Sequence, residues 1–450
     1  MYLFELPTTG AISFSDFCID LTPDKKLAHR LQDATQARAN IRGLLKESKN
    51  VTHADKDNLK LVKLIEEYLP HLLGLMACTS HGEVGLSTEP VFSWRTTLSA
   101  NLFNSSPRLS VPTFTADLGF VLLTYGFALS NLARAYVAAL ETYDRDHTMS
   151  EADRKSKDEQ LGVAVSFLRR ASGIFSYISE TVLVKWEDGG APGFKKPPDL
   201  TKEVTSALSK MSLADAQNLA IRKLLSRTSY ENNIALGSPL PKSHPSPVLL
   251  AKLHLECASL YSSGLSLIKN FGASKAISDV HGDVSNDLRR YLTEEATFHG
   301  AVAKKWLGID SGENGGSSKG GEAVAFMAWS KKELEELKDN GISVNLGKAD
   351  KEQKAEFKNR VAFELNAVVN LLKHYKKLND TVHFQPVPSQ GEVQRCIPAG
   401  RLAVQVQPFV SPSPAFGPTS TVGDEHQAVR NGENTDPRPL GTYEGAGAYF

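Results

Sequence analysis

Charge of one sign is missing from this 450-residue chain: 51 lysines and arginines face 51 aspartates and glutamates. No global field is available to gather nucleic acid or an anionic surface, so such binding would need a local patch. Cysteine is scarce as well. Cys18, Cys78, Cys257 and Cys396 stand far apart with no CxxC, which suggests neither a disulfide framework nor a zinc ribbon and points to a reducing compartment. The first residues lack the basic and apolar regions of a signal peptide. A long hydrophobic run is missing too. The most apolar stretch, residues 118–140, is free of strongly polar residues from Leu118 to Leu129, whereas a bilayer needs about 20. Asn131 and Arg134 then interrupt it, so a buried core helix is expected and the protein is placed in the cytoplasm.

Catalytic signatures are equally wanting. HExxH and GxGxxG do not occur, and no glutamate precedes a histidine by three residues. Gly347-Lys348-Ala349 resembles the end of a phosphate-binding loop, but Ile342 stands where the first glycine is needed and Ala349 has no hydroxyl for magnesium. Asp279, His281, Asp283 and Asp287 cluster without an EF-hand skeleton and are expected to be a solvated helix start. Glu295 and His299, four apart on one helix, could form an acid–base pair, but nothing else converges on them. Lys304-Lys305 and Lys373, Lys376 and Lys377 read as solvated faces. The expectation is a binding protein, not an enzyme, with no cofactor, no metal and no nucleic-acid partner.

What is present is helical periodicity. Apolar residues recur at a 3.6-residue spacing over about 24–48, 54–78, 112–142, 151–186, 200–228, 247–270, 276–306 and 351–378. A shorter helix is expected at 330–338, opened by Ser330 and Glu333 as a capping box. The glycine-rich run 311–323 is expected to be a mobile loop. Near-alternating residues around Pro7-Thr8-Thr9-Gly10 suggest a small N-terminal β-hairpin. No fixed repeat period is visible. Residues 381–450 hold nine of the 22 prolines and no lysine or tryptophan. The expected division is one domain over 1–383 and a disordered tail over 384–450, too poor in apolar area to offset the entropy of ordering.

Specific strings then matter more than composition. FSWRTTL (92–98), AVSFLRRASGIFSYISETVL (164–183), LADAQNLAIRKLL (213–225) and LLAKLHLECASLYSSGL (249–265) resemble, in order and separation, the BRO domain of the Alix-type ESCRT adaptors. FHGAVAKKWLGIDSGENG (298–315) and GGEAVAFMAWSKKELEELK (320–338) look like its fungal pH-response branch. The resemblance covers about residues 1–380. It implies an all-α, curved helical stack with a TPR-like core and no catalysis. The implied partners are the C-terminal amphipathic helix of an ESCRT-III filament subunit and components of a pH-signalling complex. That complex links a plasma-membrane sensor to proteolytic activation of a transcription factor, with recruitment to plasma membrane or endosome through partners. Carried onto this sequence, Leu249 and Leu253 would floor a helix-binding groove. Ala220 stands where relatives carry an aromatic, Asp158 matches a polar rim residue, and Gly162 replaces a frequent lysine. The alternative is a TPR-like scaffold in endosomal trafficking with a different partner.

Overall fold

A computed structural model describes residues 1–49, 51–52, 56–99, 108–146, 149–189, 196–229, 240, 244–274, 283–339 and 348–418. Asp279, His281, Gly347 and the aromatic end of the chain lie outside these residues. The expected helices form, with shifted ends. α1 (Ala28–Glu47) begins about one turn after the start expected near residue 24. Its first amides are held by Asp20, whose Oδ2 accepts from Leu27 N at 2.7 Å and Ala28 N at 3.1 Å. α2 (Asn58–Ser80) is capped by Asp57. α3 (Phe114–Leu140) is the apolar stretch singled out above, and its most apolar window is 100% buried. It is long and apolar enough to span a bilayer, but its faces are covered by protein. α4 (Glu151–Tyr177) starts where expected, capped by Ser150, and passes through a π-helical turn into α5 (Leu183–Asp188). α6 (Lys202–Ser229), α7 (Pro247–Ser274), α8 (Asn286–Asn314), α9 (Gly320–Asp339), α10 (Lys348–Leu378) and the short α11 (Gln390–Gln394) follow. The long helices pack mainly on their neighbours in the chain.

The β structure is small and differently built from the hairpin expected in the first 17 residues. β1 (Cys18–Asp20) pairs antiparallel with β2 (Val84–Leu86), and β3 (Val91–Arg95) with β4 (Arg108–Pro112), setting Trp94 opposite Leu109. The Pro7–Gly10 turn docks on β3 instead, through Gly10 N to Ser93 O and Arg95 N to Thr8 O. Under this sheet lies a buried ion pair: Arg38 to Asp117 at 2.9 Å, with both side chains almost free of solvent.

Two other expectations are corrected at α8 and α9. Ser330 does not cap a helix. It sits inside α9, buried, and donates to Ala301 O at 2.7 Å, while Glu333 pairs with Lys304. The glycine-rich run is mostly the end of α8 and the start of α9, joined by one 3-10 turn. Its glycines permit close approach: a Cβ at Gly321 would overlap the Pro386 carbonyl.

Pro386 belongs to a segment expected to be unstructured. Residues 384–418 run along the helices as an extended strap. Arg401 N donates to Lys252 O on α7, Gln407 N to Arg169 O on α4, and Ala415 N to Pro70 O on α2. Residues 419–450 fall outside the description.

Candidate functional site

The face formed by α4, α6 and α7 was the expected guest seat, and the strap lies across it. Gln217 on α6 fixes the crossing. Its side-chain amide donates to Arg401 O at 2.7 Å and Leu253 O at 3.2 Å, and its carbonyl accepts from Ala403 N at 2.7 Å. One buried amide thus ties α6, α7 and the strap together. Val404 is buried in a cluster with Leu161, Ala164, Leu168, Ala216, Leu219 and Ala220. On α4, Arg169 Nε donates to Gln405 O at 2.7 Å.

This arrangement relocates the predicted contact residues. Leu253 is 4% exposed and belongs to the main core. Ala220 is buried in the same cluster as Val404. Asp158 is not an open rim carboxylate: its Oδ1 accepts from Tyr143 Oη and Ser226 Oγ, both at 2.6 Å, so it joins α4 to α6. Burial, reinforced by that bond to Asp158, raises the Tyr143 phenol above its ordinary range. Gly162 is half-buried with Lys223 Nζ beside it, and Leu249 is half-buried. Asp158, Gly162 and Ala220 therefore share the α4–α6 junction, while Leu249 and Leu253 belong to α7 on the far side of Gln217. Leu402 of the strap is apolar and open, 45% exposed, and on α4 Val163 is 42% exposed. Leu402 follows the residue bonded to Lys252, one helical turn from Leu249.

A second feature is a cleft of about 320 Å³ where α2, α3, α4 and the strap meet, lined by Glu66, Tyr125, Arg170 and Phe409 among others. Tyr125 Oη donates to Glu66 Oε1, and Arg170 pairs with the same oxygen at 2.8 Å. The charges in this cleft therefore answer one another.

Glu295 and His299 do come together, but inside the core. Arg360 of α10 holds Glu295 with two bonds, at 2.8 and 3.1 Å, and His299 Nε2 lies 3.7 Å from Glu295 Oε2. His299 Nδ1 faces His254 Nδ1 at 2.8 Å, and Tyr261 stacks on the His299 ring. Asp215 accepts from Tyr261 and Tyr291 nearby. Both imidazoles are buried. Among the described residues no group of three or more His, Cys, Asp or Glu could hold a metal ion.

Burial drives both histidines well below their ordinary value of 6.5, the neighbouring imidazole adding to the effect at His254 and the Arg360 charge at His299. The unfolded chain then binds more protons just below pH 6.5, so stability rises with pH through that region and falls on acidification. Each histidine contributes up to about 1.4 kcal/mol per pH unit there. Buried Asp215, whose carboxyl burial raises, works in the opposite sense at lower pH. Urea unfolding at pH 7 and at about 5.5 should show a loss of about 2 kcal/mol. His254→Gln/His299→Gln should flatten that slope; an equally steep slope would show that other groups carry it.

The profile of the BRO1-like domain family matches residues 24–428. The pH-response regulator protein palC of Cryptococcus neoformans var. neoformans serotype D (strain B-3501A) is 34% identical over 497 positions, spanning 100% of this chain and 99% of the relative. palC of Yarrowia lipolytica (strain CLIB 122 / E 150) is 24% identical, spanning 90% and 93%. Among solved structures, ALIX in complex with the SIVmac239 PYKEVTEDL late domain superposes with a TM-score of 0.63 at 16% identity. The match takes in 96% of this chain but 53% of that one, so this chain spans about half the length of the ALIX chain. The structure described as the basis for endosomal targeting by the Bro1 domain superposes with a TM-score of 0.55 at 16% identity, covering 96% of both chains. These two likenesses establish the fold.

Proposed function

This chain belongs to the BRO1-like domain family, and from that premise we propose that it is a non-enzymatic adaptor in fungal ambient-pH signalling. In this role it captures the C-terminal helix of an ESCRT-III subunit and links a plasma-membrane sensor complex to proteolytic activation of a transcription factor. It works from the cytoplasm, recruited to plasma membrane or endosome by its partners. The observation that carries this reading is the end-to-end similarity to a pH-response regulator, at 34% identity. Consistent with this reading, the Glu295–His299 pair singled out in the sequence is buried in the core.

The seat for the guest helix is set by the strap. With Leu253 and Ala220 buried, the apolar seat falls to exposed Leu402 and half-buried Leu249. Lys252 and Glu256 of α7, which meet the strap at Arg401 and Gly400, are charges that can set the orientation of a guest. An amphipathic helix would lie against the strap's outer edge with its apolar stripe on Leu402. Calorimetry with an ESCRT-III C-terminal peptide should show Leu402→Asp weakening binding by at least about 2 kcal/mol, the scale of an interface hot spot, with the melting temperature unchanged. Leu249→Asp should act in the same direction. Leu253→Asp would instead bury an unpaired carboxylate and so reports folding, not binding. Wild-type affinity in both folded variants would remove this seat.

A further inference from the structure

At the C-terminal end of α10 the chain keeps an aromatic ring in water despite a strained backbone. Phe384 has φ 50° and ψ 33°, the left-handed conformation in which helices usually end on glycine, and its side chain is 73% exposed. The turn that imposes this is well built. Phe384 N donates to Asn379 O at 2.7 Å, and the buried Asn379 side chain donates to Gln385 O at 2.8 Å and accepts from Gln385 N at 3.2 Å. A glycine would satisfy the same turn without strain and without exposing a ring. Val382, 60% exposed, and Val387, 53% exposed, flank the ring.

The surroundings are basic. Lys373, Lys376 and Lys377 are exposed on the last turns of α10, and none is ion-paired among the described residues. From 373 to 387 Asp380 is the sole carboxylate. Across from this end, Lys319 and Glu322 pair with each other at 3.8 Å. Lysines at a helix C-terminus are also favoured by the helix dipole, which accounts for the cations but not for the exposed ring.

We propose that this tip docks on an anionic membrane surface. Phe384, Val382 and Val387 enter the boundary between headgroups and acyl chains, and Lys373, Lys376 and Lys377 meet the headgroup charges. The contact is direct and weak. It adds to recruitment by partners and orients the helical stack on the bilayer by one end.

The test uses the full chain and vesicles of phosphatidylcholine with or without phosphatidylserine. Wild type should co-sediment with the phosphatidylserine vesicles and not with phosphatidylcholine alone, and binding should weaken as salt screens the lysines. Phe384→Gly should lower the partition coefficient by about tenfold while leaving the melting temperature equal or higher, because glycine suits the left-handed position. Lys373→Glu/Lys376→Glu/Lys377→Glu should lower it by about 100-fold. The proposal is overturned if wild type ignores phosphatidylserine vesicles. It is equally overturned if both variants bind like wild type, or if the tip captures a soluble protein while showing no affinity for lipid.

Discussion

Asp117→Ala is expected to lower the unfolding free energy by about 3–5 kcal/mol, the scale reached when one partner of a buried ion pair is removed. Four donors converge on this carboxylate: Arg38 Nε at 3.3 Å, Arg38 Nη2 at 2.9 Å, Tyr68 Oη at 3.1 Å and Trp94 Nε1 at 2.6 Å. They come from α1, α2 and β3, so one side chain on α3 gathers the whole N-terminal third. Burial raises the Tyr68 phenol, and the Asp117 charge adds to it. Without Asp117 the Arg38 guanidinium, 2% exposed, would keep Thr9 Oγ1 and Gly10 O and the faces of Phe92 and Trp94, but no counter-charge. Asp117→Asn should cost less, because one oxygen still accepts. Urea denaturation measures both; a loss below about 1 kcal/mol in Asp117→Ala would show that water enters and solvates Arg38.

Two glycines on α4 should respond to alanine with opposite signs. Helix propensity alone favours alanine at either position by about 1 kcal/mol. At Gly162 the new Cβ would meet nothing nearer than Lys223 Nζ at 3.7 Å, so the gain should appear. At Gly173 it would overlap the Gln407 carbonyl, with Phe409 N at 3.1 Å. Gln407 is bonded to Arg169 in the same helix, and Phe409 packs on Tyr177, so relief requires the strap to lift. Gly173→Ala should therefore destabilise by about 2 kcal/mol, the middle of the range for overpacking, and proteolysis between residues 395 and 418 should quicken. Stabilisation by both alanines would mean that the strap does not bear on α4.

The sequence was legible where a pattern is local. Periodic apolar residues located most of the long helices within a few positions, but α8 begins about ten residues later than expected and only the second half of α9 was expected. The strings carrying the family resemblance fall on α4, α6, α7, α8, α9 and β3. It was opaque where the partner is far along the chain. Arg38 and Asp117 stand 79 residues apart, and no spacing rule joins them. In the sequence Asp158 reads as a polar rim residue because Ser226, the α6 residue bonded to it, is 68 positions away. Ser330-x-x-Glu333 fits a capping box by spelling alone, but tertiary packing carried the helix through it. The strap was the largest miss. Its prolines and low apolar content argued for disorder, yet Leu402, Val404 and Val406 alternate with polar or small residues, a period-2 signal that prolines obscured. Nor does the sequence say that helix carbonyls at Lys252, Arg169 and Pro70 would accept from it.

That ribbon changes how the molecule comes apart. A row of helices touching mainly adjacent members behaves nearly as a one-dimensional array, in which an end can fray while the middle persists. Here a single covalent thread is pinned in turn to α9, α7, α6, α4 and α2. Opening either extremity must peel the thread or carry the next module with it. Sub-global openings are thereby penalised, and amide exchange in the terminal helices is drawn toward the global unfolding limit.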